Sequence, residues 1–302
     1  MAQLRPANIG HGVHVRTLFS GISRGTERLV LSGEVPETER DRMRAPFQEG
    51  DFPFPVKYGY ANVGLVTEGA LAGRHVFALF PHQTEFRLSD DALIALPNAL
   101  PPERAIMAAN METALNILWD SGAGAGDRIA IVGGGLVGLL TAYLAARLPG
   151  SEVTVIDPLP DRAAIARALG CAFAAPDDAT GDRDVVIHTS ASQAGLGLAL
   201  SLAGPQATVA EASWHGTQQV ALPLGGAFHS RRLRIVSTQV GSIPPDRAPR
   251  WTYRRRLTKA LDLLCDARLD TLISGQTAFA DLPGAYPGIL ADPATLCHRI
   301  AY

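Results

Sequence analysis

Arg128-Ile-Ala-Ile-Val-Gly-Gly-Gly-Leu-Val-Gly138 decides the fold. A short apolar strand runs into Gly133-x-Gly135-x-x-Gly138, and a helical pattern follows without a break. A second apolar run, Val153-Thr-Val-Ile156, ends at Asp157, 19 residues beyond Gly138. Each part has a mechanical job. The first glycine permits a tight turn, the second lets a pyrophosphate approach the backbone, and the third lets the helix pack on its strand. The first helical turn, with Leu136 and Val137, offers unpaired N–H groups and a partial positive charge to phosphate. A carboxylate at the tip of the second strand accepts the adenosine ribose hydroxyls. A glycine-rich turn that binds nothing would explain the glycines but not Asp157. The candidate dinucleotide-binding residues are therefore Gly133, Gly135, Leu136, Val137, Gly138 and Asp157, with Arg162 close by. Asp157 would repel a 2′-phosphate, and Pro158 adds no positive charge, so NAD is expected ahead of NADP. Arg162 is the residue that works against that preference.

Outward from this stretch, strands and helices alternate. Helix Leu136–Arg147 stops at Pro149-Gly150, and a helix over Asp161–Leu169 is closed by Gly170. Strand Asp184–His188, a helix from Ser192 to Leu202, and strands Ala207–Glu211 and Leu233–Thr238 follow. Such alternation implies a parallel sheet covered by helices on both faces. Residues before 110 differ. Val13–Leu18, Gly64–Thr67, Val76–Leu79 and Leu93–Leu96 are short apolar runs broken by Gly and Pro, which read as strands. Pro36–Pro55 reads as a long surface loop with one helical turn. After Pro249 a helix carries Leu257, Leu261 and Leu264 at helical spacing. The expected class is α/β, with a β-rich domain over 1–112, an inserted dinucleotide-binding domain over 113–245, and a return to the first domain over 246–302.

At 302 residues, 47% hydrophobic and 19% charged, the chain can bury large cores. A net charge of −2 gives no general attraction to nucleic acid or an anionic membrane, and neither is expected as a partner. Three widely separated cysteines, Cys171, Cys265 and Cys297, argue against a disulfide framework. No leader pattern and no run of about 18 apolar residues occurs, so a cytoplasmic location is expected. Arg231–Arg256 holds eight arginines against one acid, Asp246. Such a run is a solvated face or a grip on an anionic group; sparse aromatics, Trp251 and Tyr253, make nucleic acid the weakest of these readings.

This order resembles the medium-chain dehydrogenase/reductase superfamily, of the alcohol and threonine dehydrogenase type. Val13-His-Val-Arg-Thr-Leu-Phe-Ser-Gly21-Ile-Ser-Arg-Gly-Thr-Glu27 resembles the strand leading into its GICGTD turn. Lys57-Tyr-Gly59-Tyr-Ala-Asn-Val-Gly64-Leu-Val is similar to GHExxGxV, Gly73-Arg-His-Val76 to GDRV, and Asn110-Met-Glu-Thr-Ala-Leu115 to the segment containing TAxxAL. The Ser-Arg-Gly-Thr-Glu variant, and the stretch from Ala227 to Trp251, resemble a zinc-ligand-lacking subgroup and, more distantly, bacteriochlorophyllide dehydrogenases. The resemblance implies a GroES-like catalytic domain, N-terminally shortened, an inserted Rossmann domain, and a homodimer.

The departures bear on the chemistry. The superfamily's zinc enzymes hold a catalytic metal with Cys, His and a third Cys or Glu. Those positions fall here on Ser23 or Arg24, on Tyr60 with Ala61 beside it, and on Ala109. None is a comparable zinc donor. The lobe of four cysteines for structural zinc is also missing, since the first cysteine is Cys171. No metal site and no zinc are expected. A substrate oxygen then needs another donor. Tyr60 is either that weak acid or an aromatic filling the vacated metal site. Arg24 either pairs with Glu27 at a turn or meets substrate. Glu112 either favours a helix start or acts as a base. Tyr58 is a further candidate, and His82 reads as an exposed loop residue. The expected function is zinc-independent hydride transfer between NAD(H) and a small alcohol or carbonyl substrate. The alternative is a dinucleotide-binding sensor or scaffold that has lost catalysis.

Overall fold

A computed structural model describes residues 12–302 of the chain. The elements run β1 (Val13–Ser23), α1 (Arg24–Leu31), β2 (Glu49–Gly50), β3 (Val56–Lys57), β4 (Asn62–Val66), β5 (His75–Ala78), β6 (Glu85–Leu88), β7 (Ile94–Ala95), α2 (Pro102–Ala105) and α3 (Ala108–Ser121). Next come β8 (Arg128–Val132), α4 (Leu136–Ala145), β9 (Glu152–Ile156), α5 (Arg162–Ala168), β10 (Ala172–Ala174), β11 (Arg183–His188), α6 (Gln193–Leu202), β12 (Ala203–Glu211) and β13 (Arg234–Ser237). The chain closes with α7 (Tyr253–Leu263), β14 (Ile273–Ala278), α8 (Leu282–Ala291) and β15 (Cys297–Ala301). Two compact units emerge. One joins the described residues up to Ala109 with Leu257–Tyr302, and the other is Asn110–Arg256.

The first unit is built on a seven-stranded sheet ordered β14-β15-β1-β4-β5-β7, with β6 also paired to β1. The last strand therefore returns to the first: Phe19 pairs with Ala301 and Ser23 with Cys297, antiparallel. Val15, Val66, Val76, Phe80, Phe86 and Leu88 form one core, and Ile22, Leu282, Leu290 and Ile300 another. Two features departed from the expected pattern. β1 continues to Ser23, and α1 follows it directly in place of the expected turn. The segment 36–55 holds one short helical turn, Glu37–Glu39, and half of the β2–β3 ribbon.

The second unit is a six-stranded parallel sheet ordered β10-β9-β8-β11-β12-β13. Numbered within the unit this is 3-2-1-4-5-6, whose order reverses between β8 and β11, and ligands bind at such switch points in doubly wound folds. The helix α4 is apolar nearly all round and buries nine of its ten residues, as a helix without a polar face must. Burial of Leu139 and Leu140 contributes about 1.5–3 kcal/mol each. Gly170 closes α5 at φ +89°, and Ser192 caps α6 by accepting the Gly195 N–H at 3.0 Å. Strand β10, Ala-Phe-Ala, lacked the β-branched content that marks a strand in sequence and pairs only along one edge. All three cysteines are free, Cys171 and Cys297 buried. No helix among the described residues is long and apolar enough to cross a membrane.

Candidate functional site

In the second unit, two of the three fingerprint glycines, Gly133 and Gly138, have a steric reason within the chain, and Gly135 has none. Gly133 sits at φ +112°, which L side chains rarely adopt, and a Cβ there would lie 2.8 Å from the Ser190 nitrogen. A Cβ on Gly138 would lie 2.0 Å from the carbonyl oxygen of Gly133 and 2.6 Å from Thr189 Oγ1, so only glycine lets α4 rest on its turn. A Cβ on Gly135 would meet nothing within 4 Å, and its φ of −72° suits any residue. That open space lies at the N-cap of α4, with Leu136 and Val137 in the first turn, where a helix leaves N–H groups without intrahelical acceptors. Asp157 stands at the tip of β9. Its Oδ2 accepts the Gly134 N–H at 2.7 Å and its Oδ1 the Leu159 N–H at 2.9 Å. A carboxylate has about four lone-pair sites, so each oxygen keeps one for a hydroxyl donor. Arg162, the first residue of α5, is buried, and its Cγ would be 3.3 Å from a Cβ on Gly134. Asp157 and Arg162 are thus brought beside the glycine turn at Gly134.

Glu112 belongs to the same unit but to another cluster. Its Oε1 accepts from Arg256 Nε at 3.0 Å, and both side chains are almost fully buried. Arg256 also donates to Asn116 and to the carbonyl of Val240. Burial raises the Glu112 carboxyl above its ordinary range more than the Arg256 charge lowers it. Arg256 is the buried arginine of the arginine-rich segment; among the exposed ones, Arg231 donates to the Ala203 carbonyl at 2.8 Å and Arg255 stacks 4.1 Å from the Trp251 ring centre.

The first unit holds Tyr60 in a polar cluster. Its hydroxyl receives hydrogen bonds from Ser23 and Thr26; burial, partly offset by those bonds and reinforced by the Glu27 charge, leaves its pKa pushed up to about 12. Tyr58 meets Tyr60 edge-on at 6.0 Å and is likewise pushed up by burial. Ala61 and Ala109 offer no donor atom. Arg24 opens α1 and is half-buried. Glu27, fully buried one turn later, accepts the Ser23 N–H at 2.7 Å, is bonded by Tyr286, and lies 3.1 Å from His82 Nε2. His82 Nδ1 in turn contacts Ser20 Oγ at 2.8 Å, and Ser20 contacts the Tyr302 hydroxyl at 2.9 Å. Burial would raise the Glu27 carboxyl, but His82, Tyr286 and the Ser23 N–H together hold it below the ordinary range.

His82 is therefore not an exposed loop residue: its side chain is 9% exposed and bonded on both ring nitrogens. Gly59 makes this possible, since a Cβ there would fall 2.8 Å from the His82 ring, and its φ is +112°. A glycine between two tyrosines was the local signal for a ring packed on the backbone. Ser20, Tyr286 and Tyr302 had no such signal.

No family model matches the chain. It is 23% identical over 313 residues to D-guloside 3-dehydrogenase of Escherichia coli K12, covering 93% of this chain and 89% of that protein. Its fold is similar to L-idonate 5-dehydrogenase of E. coli (TM-score 0.77, 13% identity, 97% and 91% of the two chains). It is also similar to a protein assigned as a zinc-binding dehydrogenase from Sinorhizobium meliloti 1021, bound to NADP (TM-score 0.74, 20% identity, 96% and 92%). The fold is α/β, with a GroES-like β-rich part and a Rossmann doubly wound parallel sheet, as in the medium-chain dehydrogenases.

Proposed function

We propose that the chain is an oxidoreductase of the medium-chain type, moving hydride between a nicotinamide dinucleotide and a secondary alcohol of a sugar or polyol, or its ketone. The fingerprint turn carries this reading: Gly138 seals the helix onto the turn while Gly135 leaves its N-terminus open, an arrangement that suits a pyrophosphate. Gly133, Gly135, Leu136, Val137 and Gly138 would hold the diphosphate and Asp157 the adenosine ribose, with NAD preferred. When bound, the cofactor accepts or supplies the hydride. The sugar or polyol class comes from the similarity to D-guloside 3-dehydrogenase and from the hydroxyl-rich surroundings of Tyr60.

The reacting centre is read as zinc-independent. A phenol and two alanines do not supply the thiolate, imidazole or carboxylate set that zinc requires. Tyr60 keeps its proton at neutral pH and donates it to the substrate oxygen as negative charge develops there. Ser23 and Thr26 hold that hydroxyl in place. Glu27, His82 and Ser20 position the turn, and Arg24 is assigned to substrate binding. Glu112, locked to Arg256, is assigned to the stability of the second unit. A sensor without catalysis would not need the Tyr60 cluster. A homodimer in the cytoplasm completes the proposal.

The test is a panel of sugars, polyols and their keto forms, each with NAD(H) and NADP(H), followed by nicotinamide absorbance. Turnover on at least one polyhydroxylated substrate is the expected result. Cofactor binding without turnover across the panel would transfer the protein to the sensor class.

A further inference from the structure

A second polar cluster lies in the Asn110–Arg256 unit, where β11 and β12 end, and the proposed proton donation does not use it. His188, fully buried, closes β11. Its Nδ1 lies 2.7 Å from Glu211 Oε2, and its Nε2 lies 2.6 Å from Ser190 Oγ. Glu211, the last residue of β12, accepts the Ser213 N–H on its other oxygen at 2.7 Å. His215 follows in the loop. Its Nε2 is 3.7 Å from Glu211 Oε2, and its ring lies nearly parallel to that of His188 at 6.1 Å. Neither ring nitrogen of His215 has a hydrogen-bond partner, although both are shut off from solvent. A buried imidazole without partners is costly and calls for an explanation.

We propose that His188, Glu211 and His215 form a site for a divalent transition-metal ion of the Zn2+ or Co2+ class. One donor atom from each residue falls within a 4.8 Å cluster. Two imidazoles and a carboxylate with an open fourth position match zinc and its neighbours, whereas calcium and magnesium require mainly oxygen. Ligands bound at 2.0–2.1 Å in a tetrahedron stand about 3.3 Å apart. The observed 2.7 and 3.7 Å straddle that value, so small side-chain rotations suffice.

The surroundings are arranged for the same end. If Nε2 of His188 donates to Ser190 Oγ, the Nδ1 lone pair faces Glu211, and outer partners of this kind fix the tautomer of ligating histidines. A lone pair and a carboxylate oxygen 2.7 Å apart repel, and a cation between them relieves that repulsion. The Nε2 side is taken by Ser190 Oγ at 2.6 Å, which leaves Nδ1 as the nitrogen that faces the ion. The ion would tie the loop after β12 to the ends of two parallel strands. The three residues all lie in the Asn110–Arg256 unit and differ from the positions Ser23, Tyr60 and Ala109, and the inference stands whether or not the chain is an oxidoreductase.

The test uses the full chain, free of any affinity tag, stripped with a chelator and titrated with Co2+ and then Zn2+. Visible d–d absorption, calorimetry and melting temperature are the readouts. One ion per chain is expected, with a rise of about 5 °C in melting temperature at roughly 100-fold excess over Kd. His215→Ala should abolish uptake while keeping the metal-free melting temperature. Ser190→Ala should weaken binding about 10–100-fold, and Tyr60→Phe should leave it unchanged. No uptake by the unmutated chain, or uptake indifferent to His215→Ala, overturns the proposal. A metal-blind chain whose NADH affinity depends on His215 would overturn it too, making the trio a cradle for cofactor hydroxyls.

Discussion

His82 Nε2 lies 3.1 Å from Glu27 Oε2, joining a loop to the first turn of α1 with the carboxylate fully enclosed. The Glu27 carboxyl is held below its ordinary value in the folded state, so the folded protein binds fewer protons there than the unfolded chain. The stability it contributes is present above the unfolded value of about 4.3 and is lost as pH falls through the lower folded value. Melting temperature measured from pH 7 down to pH 3 should therefore drop below about pH 4.5, and Glu27→Gln should flatten that drop. At pH 7 the same substitution should cost about 1–3 kcal/mol, because the amide keeps one acceptor oxygen but turns an NH2 group toward donors that the carboxylate accepted. A variant with the parent's acid profile would remove Glu27 from this role.

Arg256 and Glu112 make the corresponding test for the second unit. Arg256→Met should destabilise by about 3–5 kcal/mol, because Glu112 remains buried with its charge uncompensated. The double variant Glu112→Leu/Arg256→Met should recover most of that loss, since burial outweighs attraction in the direction of the Glu112 shift. Chemical denaturation of all three proteins measures both values. Recovery of stability with full turnover would keep Glu112 out of catalysis.

Much of the second unit was legible because its signals are local. The glycines and the capping residues act within one or two turns of chain, Asp157 follows them at the spacing of one strand–helix–strand unit, and hydrophobic runs mark β8, β9 and β11. The Tyr60 cluster was legible only in part. Ser20 and Tyr302 are 282 residues apart and Glu27 and Tyr286 are 259 apart, with no periodicity to link them. Strand pairing of β1 with β15 brings Ser20 and Tyr302 together, and a sequence does not display that register. His188, Glu211 and His215 escaped for the same reason: parallel pairing sets His188 beside Glu211 across 23 residues.

The glycines separate folding from binding. Gly138→Ala must push α4 off its turn and should lower both melting temperature and cofactor affinity. Gly135→Ala fits the backbone and open space, so melting temperature should hold while cofactor affinity falls at least about tenfold, as a methyl group intrudes on the pyrophosphate path. Thermal melts beside NADH fluorescence titration would show it. Equal effects of the two substitutions would contradict the turn geometry.

Asp157→Ser should weaken NAD binding and narrow the gap to NADP, by removing both the ribose acceptor and the charge that repels a 2′-phosphate. Buried Arg162, next to Gly134, would then face the added phosphate with less opposition. Calorimetry with both cofactors checks the order. Tighter NADP binding by the unmutated chain would reverse the assigned preference.

Tyr60→Phe keeps the ring, its edge contact with Tyr58, and the packing, and removes only the hydroxyl. If that hydroxyl donates a proton in the transition state, kcat should fall about 100-fold while cofactor affinity changes little. Removing the acceptor for Ser23 and Thr26 should cost about 1 kcal/mol of stability. The phenol's pKa of about 12 adds a second check. Because the group stays protonated through neutral pH, carbonyl reduction should run without a Tyr60-dependent break between about pH 6 and 9, whereas alcohol oxidation should accelerate as the medium becomes alkaline. An unchanged kcat in the phenylalanine variant would assign Tyr60 to packing in the place of a metal ligand, and Tyr58 and Arg24 would become the residues to replace next.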